Sequence, residues 1–476
     1  MTYTSVGFFI LLIVSVIAYY IVPLKYRWAV LLSASALFYY MAAGLASTIL
    51  IALTVVISYG LAGVIVRSDG NKRRTLFVLA LIIVLIPLFI TKSWTIIGRL
   101  SSGISLTELI APLGISYYTL QIVSYLTDVY MRRTDAAVSI LKYALYILFF
   151  PHIVQGPIPR YSGLSHELFE GHVFREENIV KGVYLITWGF FLKYMIAERA
   201  AMYVNAIHSD INMYGGTYLW LGAFLYSIQL YADFSCCVYI SRGASRFFGI
   251  SIENNFARPF FATSIKEIWS RWHITFSNWL RDYIYFPLGG SRKGKIRKLC
   301  NLMIVFLISG LWHGFGLSFL AWGGILGVFR IVGEWTPDIK RKVFGEEKSD
   351  VLIWAERIVT FILWSVAFVM FRSESLLTGI KYYKNMFTVY NPWVLSAEYL
   401  DKLGFERSDR TILTVSILVL FVISLVQEKG HSISEWICSL KPVTRGTLII
   451  IVICTVYVFG IYGYGFDASE FIYGGF

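Results

Sequence analysis

The chain has 476 residues, of which 57% are hydrophobic and only 15% charged, whereas a soluble domain carries about 25% charged residues. That shortage of charge, with a mean hydropathy of +0.65, excludes an ordinary soluble enzyme, because charge is what a bilayer rejects. The net charge of +13 does not indicate a nucleic-acid binder: the basic residues sit in short connections between apolar runs, which is a topological pattern.

The first apolar run, 6–22, has no basic segment before it and no small-residue cleavage site after it, so it reads as a retained helix. Apolar runs of spanning length then predict helices near 27–43, 45–66, 75–91, 107–130, 180–197, 216–238, 300–318, 319–334, 353–371, 411–427 and 447–464. Stretch 139–160 begins apolar but is broken by Pro151, Pro157 and Pro159, with Gly156 among them. Such backbone survives at membrane depth only where protein or a cavity satisfies its polar groups. Segment 255–290 is rich in Trp but also holds Arg258, Lys266, Glu267, Arg271, His273, Arg281 and Asp282. It cannot cross lipid as a simple span and reads as amphipathic or re-entrant helix.

Charge counting orients these elements. Lys25 and Arg27, then Arg67, Lys72, Arg73 and Arg74, then Arg132 and Arg133 should all be cytoplasmic, which puts the N-terminus outside. If 139–160 is re-entrant, the basic segment 292–298 falls inside, with Arg242, Arg246, Lys340, Arg341, Lys342, Lys429 and Lys441. The expected architecture is therefore an all-α polytopic membrane protein of about twelve crossings with re-entrant segments. It is read as one transmembrane domain: N-terminal helices over 1–135, a core over 139–335 and C-terminal helices over 353–476.

Two of the seven His sit where burial and polarity conflict. His313 lies within an apolar run flanked by Gly310, Gly314 and Gly316, which allow close approach or a local break. An ionisable group there either does chemistry or bonds a neighbouring carbonyl. His273, on a continuous helix, would share a face with Ser277, and Asn278 with Arg281 and Asp282. Asp233 closes an apolar helix and is a candidate buried partner. His152 and Gln155 could line a pore or satisfy the broken backbone, while His166, His172, His208 and His431 read as surface residues. The stretch 289–296 (GGSRKGKI) imitates a phosphate loop but lacks the magnesium-binding Ser/Thr and a preceding strand. No G-x-S-x-G elbow exists. The five Cys lack metal-ligand spacing, so neither a metal site nor a disulfide framework is expected.

Several motifs in order, 112–130, 149–158, 269–273, 279–290, 310–314 and 371–373 with the ending 471–473, resemble the membrane-bound O-acyltransferase family. The resemblance is closest to its bacterial branch around the alginate O-acetyltransferase membrane subunit, with the teichoic acid D-alanylation branch related. It implies a ring of tilted helices around a central funnel, a catalytic His at His313 and a second family His at His273. Relatives often carry a second acid after Asp233; here Cys236 and Cys237 follow, so only Asp233 is carried over, and His152 stands where Gln is common. Trp272, Trp312 and Tyr283 would shape the cavity, and Asn278 or Arg271 would contact the donor. The implied reaction moves an acetyl group from a cytoplasmic thioester towards a hydroxyl of an extracytoplasmic polysaccharide or wall polymer. No cofactor is expected to reside in the protein; the donor is acetyl-CoA or, alternatively, an acyl carrier-protein thioester. The expected setting is a bacterial cell membrane, with a separate exported acetyltransferase as partner and loop 372–410 as its docking surface. D-alanyl transfer, a transporter and a catalytically inactive scaffold are the rival readings. A transporter predicts paired intramembrane charges or inverted repeats.

Overall fold

The computed structural model describes residues 1–100, 112–336 and 349–462, with side chains left aside over 94–100. The expected helix start at 107, the basic Lys340, Arg341 and Lys342, and the motif at 471–473 lie outside the described residues. The chain is an all-α polytopic membrane protein. Eight described helices are at least 18 residues long and apolar enough to cross a bilayer, and Val6–Ile21 and Leu317–Val332 are shorter apolar helices.

Lipid exposure is legible in the surface. Along α1 (Val6–Ile21) the outward residues are Val6, Ile10, Ile13, Val14, Ile17 and Ile21, with Val6 and Ile21 76% and 77% exposed. They follow the 3.6-residue repeat, but the apolar stripe faces out, which water would not tolerate on this scale. Helix Pro442–Phe459 goes further, with Val456 its one buried residue.

The chain folds as two compact units. The first comprises 1–186 and 237–254 among the described residues. In it, α2 (Arg27–Val66) is interrupted at Gly44, whose φ of 76° and ψ of 177° are not helical, so the expected helices 27–43 and 45–66 are found as two segments joined at that residue. Helices α3 (Gly70–Leu100) and α4 (Ile115–Tyr130) pack on it. The proline-broken stretch becomes α5 (Ile140–Leu148), nine residues long, followed by buried irregular backbone. Nine residues rise about 14 Å, half a bilayer core, so α5 cannot span alone. The broken backbone is satisfied by side chains, as its depth requires. The Tyr3 hydroxyl donates to the Phe150 carbonyl at 2.9 Å and accepts from the Val154 amide at 3.3 Å. The Ser35 hydroxyl accepts from the Phe150 amide at 3.1 Å, and the Tyr146 hydroxyl donates to the Pro159 carbonyl at 3.0 Å. His152, also buried here, lies 3.5 Å from the Gln121 amide. Helix α6 (Tyr161–Phe169) follows. Of the four His read as surface residues, His166 and His431 are exposed, but His172 and His208 are half-buried, close to the carbonyls of Glu167 and Val204.

The second unit comprises 187–236 and 255–462 among the described residues. Helix α7 (Glu176–Phe191), part of this unit from Thr187, runs through one π-helical stretch, Leu192–Ala197, into α8 (Glu198–Ser209); α9 is Thr217–Phe247, of which the part up to Cys236 belongs to this unit. Segment 255–294 contains no spanning helix. It breaks into α10 (Ile265–Arg271), α11 (Ile274–Leu280) and a π-helical turn, Arg281–Tyr285. Asn255 ties it together: its side-chain oxygen accepts from the Thr275 amide at 3.1 Å and hydroxyl at 2.6 Å. Helices α12 (Lys295–His313) and α13 (Leu317–Val332) form a tight hairpin, because a Cβ on Gly310 would lie 2.3 Å from the Phe319 carbonyl oxygen. That approach is possible only for glycine. Helix α14 (Asp350–Arg372) packs on α13, and α15 (Leu376–Thr388), α16 (Ala397–Asp401) and α17 (Arg407–Glu428) follow.

Candidate active site

Both family His lie in the second unit, buried to 2% and 3% exposure. His313 is the last residue of α12, not the middle of a helix. The run breaks at Gly314 and resumes at Leu317, so the imidazole sits at a hairpin tip. Aromatic rings surround it: Trp322 at 5.2 Å, Phe371 at 5.0 Å and Phe276 at 6.1 Å between centroids.

His273 departs from the expectation of a continuous helix. It caps α11 with φ 45°, so the chain turns between α10 and α11 and the shared face with Ser277 does not form. Ser277 instead donates its amide to the His273 carbonyl at 2.9 Å and its hydroxyl to the Trp272 carbonyl at 3.2 Å. A left-handed conformation in a non-glycine residue costs about 1–3 kcal/mol and concentrates at functional sites. Phe234 holds the ring from one side at 4.8 Å and Phe276 from another at 5.0 Å. Burial pushes the imidazole down to about 3 from its ordinary 6.5, so it is neutral at pH 7.

Phe276 and Trp312, 4.4 Å apart, connect the two imidazoles: His273 lies 6.1 Å from Trp312, and Phe276 lies 6.1 Å from His313. Of the residues read from sequence, His273, Trp312 and His313 thus form one aromatic-walled cluster. Trp272 is buried beside it against Phe256, Trp364 and Phe368. Arg271 is held by carboxylates, its guanidinium 2.6 Å from Glu267 and 2.8 Å from Glu428. Asn278 is half-buried, and Tyr283 packs on Trp279 at 5.3 Å.

Asp233 has a partner that sequence reading missed. The Lys193 ammonium, on the π-helical stretch, lies 2.7 Å from both Asp233 and Glu198, with all three side chains at most 3% exposed. A lone Lys in an apolar run was the available signal. The pair spans neighbouring helical elements, and Asp233 is adjacent in sequence to Phe234, which packs on His273. The triad therefore braces the wall of the site. It also means that paired intramembrane charges are not diagnostic of transport here. Trp322 gave no sequence signal, being an aromatic in an apolar run, and Phe276 was not singled out, whereas Phe234 and Phe371 stood in motifs.

A buried aromatic enclosure with imidazoles from two different segments suits proton transfer shielded from water. The family model of the membrane-bound O-acyltransferases matches residues 35–371, which include every residue of this cluster; the chain belongs to that family. It is 34% identical over 314 residues to a probable alginate O-acetylase of Pseudomonas syringae, covering 66% of this chain and 57% of that protein. It is 30% identical over 393 residues to a peptidoglycan O-acetyltransferase of Helicobacter pylori, covering 75% and 73%. It is 29% identical over 255 residues to a teichoic acid D-alanyltransferase of Bacillus subtilis, covering 51% and 64%. The matches thus span 57–62% of the length of the first alginate O-acetylases compared.

Proposed function

We propose that this protein is an O-acyltransferase of a bacterial cell membrane that passes an acetyl group from a cytoplasmic thioester, acetyl-CoA, towards a hydroxyl of an extracytoplasmic polysaccharide or wall polymer. The observation that carries the reading is the pair of buried imidazoles, His273 and His313, walled by Phe276 and Trp312 within the family-matched region. In the proposed step His313 takes the proton of the hydroxyl that reaches the site, the first acceptor on the way to the polymer, as that oxygen attacks the thioester carbonyl. The tetrahedral intermediate then expels the thiolate, which recovers the proton from the imidazolium, leaving ester and free thiol. An imidazole suits this because its ordinary pKa is about 6.5. Neutral His273 can donate one N–H towards the developing oxyanion.

The proposed topology has about twelve crossings, with 292–298 inside and 139–160 re-entrant. A bulky polymer outside and a coenzyme A donor inside favour a separate exported protein for the last transfer, docking on segment 372–410, which is not the expected loop but carries α15 and α16, and where Trp393 is 58% exposed. D-alanyl transfer from a carrier-protein thioester uses the same chemistry, and the donor decides between them. The test is reconstitution in liposomes with acetyl-CoA inside. Thiol release that disappears in His313→Ala, while the variant accumulates normally, is expected. Turnover at wild-type rate in that variant would remove His313 from the mechanism, and complete acetylation of external glycan without a second protein would remove the partner.

A further inference from the structure

Away from the imidazoles, the second unit contains a cleft of about 270 Å³ whose wall is almost entirely hydrocarbon. Phe260, Ile358 and Phe361 form one side, and Ile417, Leu420 and Phe421 the other. It is open-sided, since Ile358 and Phe421 are 56% and 42% exposed. At one end the chemistry changes sharply. Arg258 and Arg357, both lining the cleft, converge with Arg271 on the single carboxylate of Glu428, at 2.8 Å, 3.7 Å and 2.8 Å. Glu267 meets Arg271 at 2.6 Å. Three guanidiniums against two carboxylates leave a formal excess of one positive charge.

The separation of charge and hydrocarbon has a length. From Glu428 at the end of α17 to Ile417 is eleven residues, about 16 Å of helix. That is half of a hydrocarbon core of about 30 Å, the depth of one leaflet. A water-soluble ligand has no reason to match this depth; a lipid does. Arg357 is also pre-oriented for an anion. Its Nε donates to the Phe261 carbonyl at 3.1 Å, and its guanidinium lies over the Trp354 and Phe261 rings at 4.7 and 5.1 Å. A guanidinium has five N–H donors, so these contacts and Glu428 leave capacity for a phosphate oxygen.

We infer that this cleft is a binding site for an anionic phospholipid, with its phosphate at Arg258 and Arg357 and one acyl chain along Ile358, Phe361, Ile417 and Leu420. The proposed sidedness sets it in the cytoplasmic leaflet, where anionic lipids are read by clustered basic residues. The assignment does not depend on the catalytic reading.

The experiment uses the full chain in phosphatidylcholine vesicles containing a few per cent of a photoactivatable phosphatidylglycerol or, in parallel, phosphatidylcholine with the same diazirine-bearing chain. Adducts are mapped by peptide mass spectrometry. The expected result is at least fivefold more labelling over 354–361 and 417–424 by the phosphatidylglycerol probe. Replacing both Arg258 and Arg357 by Gln should bring it down to the phosphatidylcholine level. Ile358→Trp keeps every charge while filling the cleft, and should suppress adducts from both probes in a protein whose melting temperature is checked. Equal labelling by the two probes, or a preference that survives in the double variant, would overturn the assignment. So would displacement of the lipid probe by acetyl-CoA, which would make the cleft part of the donor path.

Discussion

Replacing Lys193 by Met should be the most damaging single change outside the imidazole cluster. Three side chains, each at most 3% exposed, share one ammonium 2.7 Å from each of two carboxylates. The triad carries a formal charge of −1, and Lys193→Met takes it to −2. Removing one partner of a buried ion pair costs about 3–5 kcal/mol, because the remaining charge is left desolvated. Asp233→Asn takes the same triad to zero. Lys193 keeps Glu198, and the Asn carbonyl still accepts a hydrogen bond, so the cost should be near 1 kcal/mol, the scale of an ordinary net hydrogen bond. The double variant should be more stable than Lys193→Met alone, since one stranded carboxylate has been removed. Thermal unfolding of detergent-solubilised protein, followed by fluorescence-detected size exclusion, ranks the three. Activity should track the same order, because Phe234, next to Asp233, packs on His273 at 4.8 Å. If Asp233→Asn is as damaging as Lys193→Met, or if Lys193→Met is neutral, the triad does not brace the site by charge pairing.

Gly310→Ala should cost about 1–3 kcal/mol by forcing α12 from α13, as overpacked contacts do. Gly316→Ala, whose nearest neighbour would be the Ser318 hydroxyl at 3.6 Å, is the neutral control in the same unfolding assay. The depressed His273 pKa contributes stability that is complete above pH 6.5 and is lost as pH falls towards 3, since only the unfolded chain takes up the proton in that window. Between pH 7.5 and 5.5 the wild type should lose about 1.4 kcal/mol from this residue, and His273→Asn should not; equal losses would remove the buried neutral imidazole. For sidedness, a single Cys at Lys295 in a Cys-free background is preferable to one at Gly294, whose φ of 88° strains any side chain. Impermeant thiol reagent applied to intact cells should leave it unlabelled, and strong external labelling would reverse the proposed orientation.

Membrane residence, the family and the approximate helix positions were legible in the sequence alone, and the same motifs singled out His313 and His273 as candidates. Run length, charge placement and motif order are properties of contiguous residues, and they survive without knowledge of packing. Even the failure of 139–160 to be a plain span was legible, because proline removes donors that lipid cannot replace. The tertiary structure decided what depends on distant partners. Lys193 and Asp233 are 40 residues apart, and nothing in either neighbourhood names the other. The turn at His273 is imposed by Asn255 and the bridge between Phe256 and Trp272, which override a segment that reads as one helix. The convergence of Arg258, Arg271 and Arg357 on Glu428 likewise joins residues up to 170 positions apart, so a charge scattered along the sequence became one site only when the helices packed.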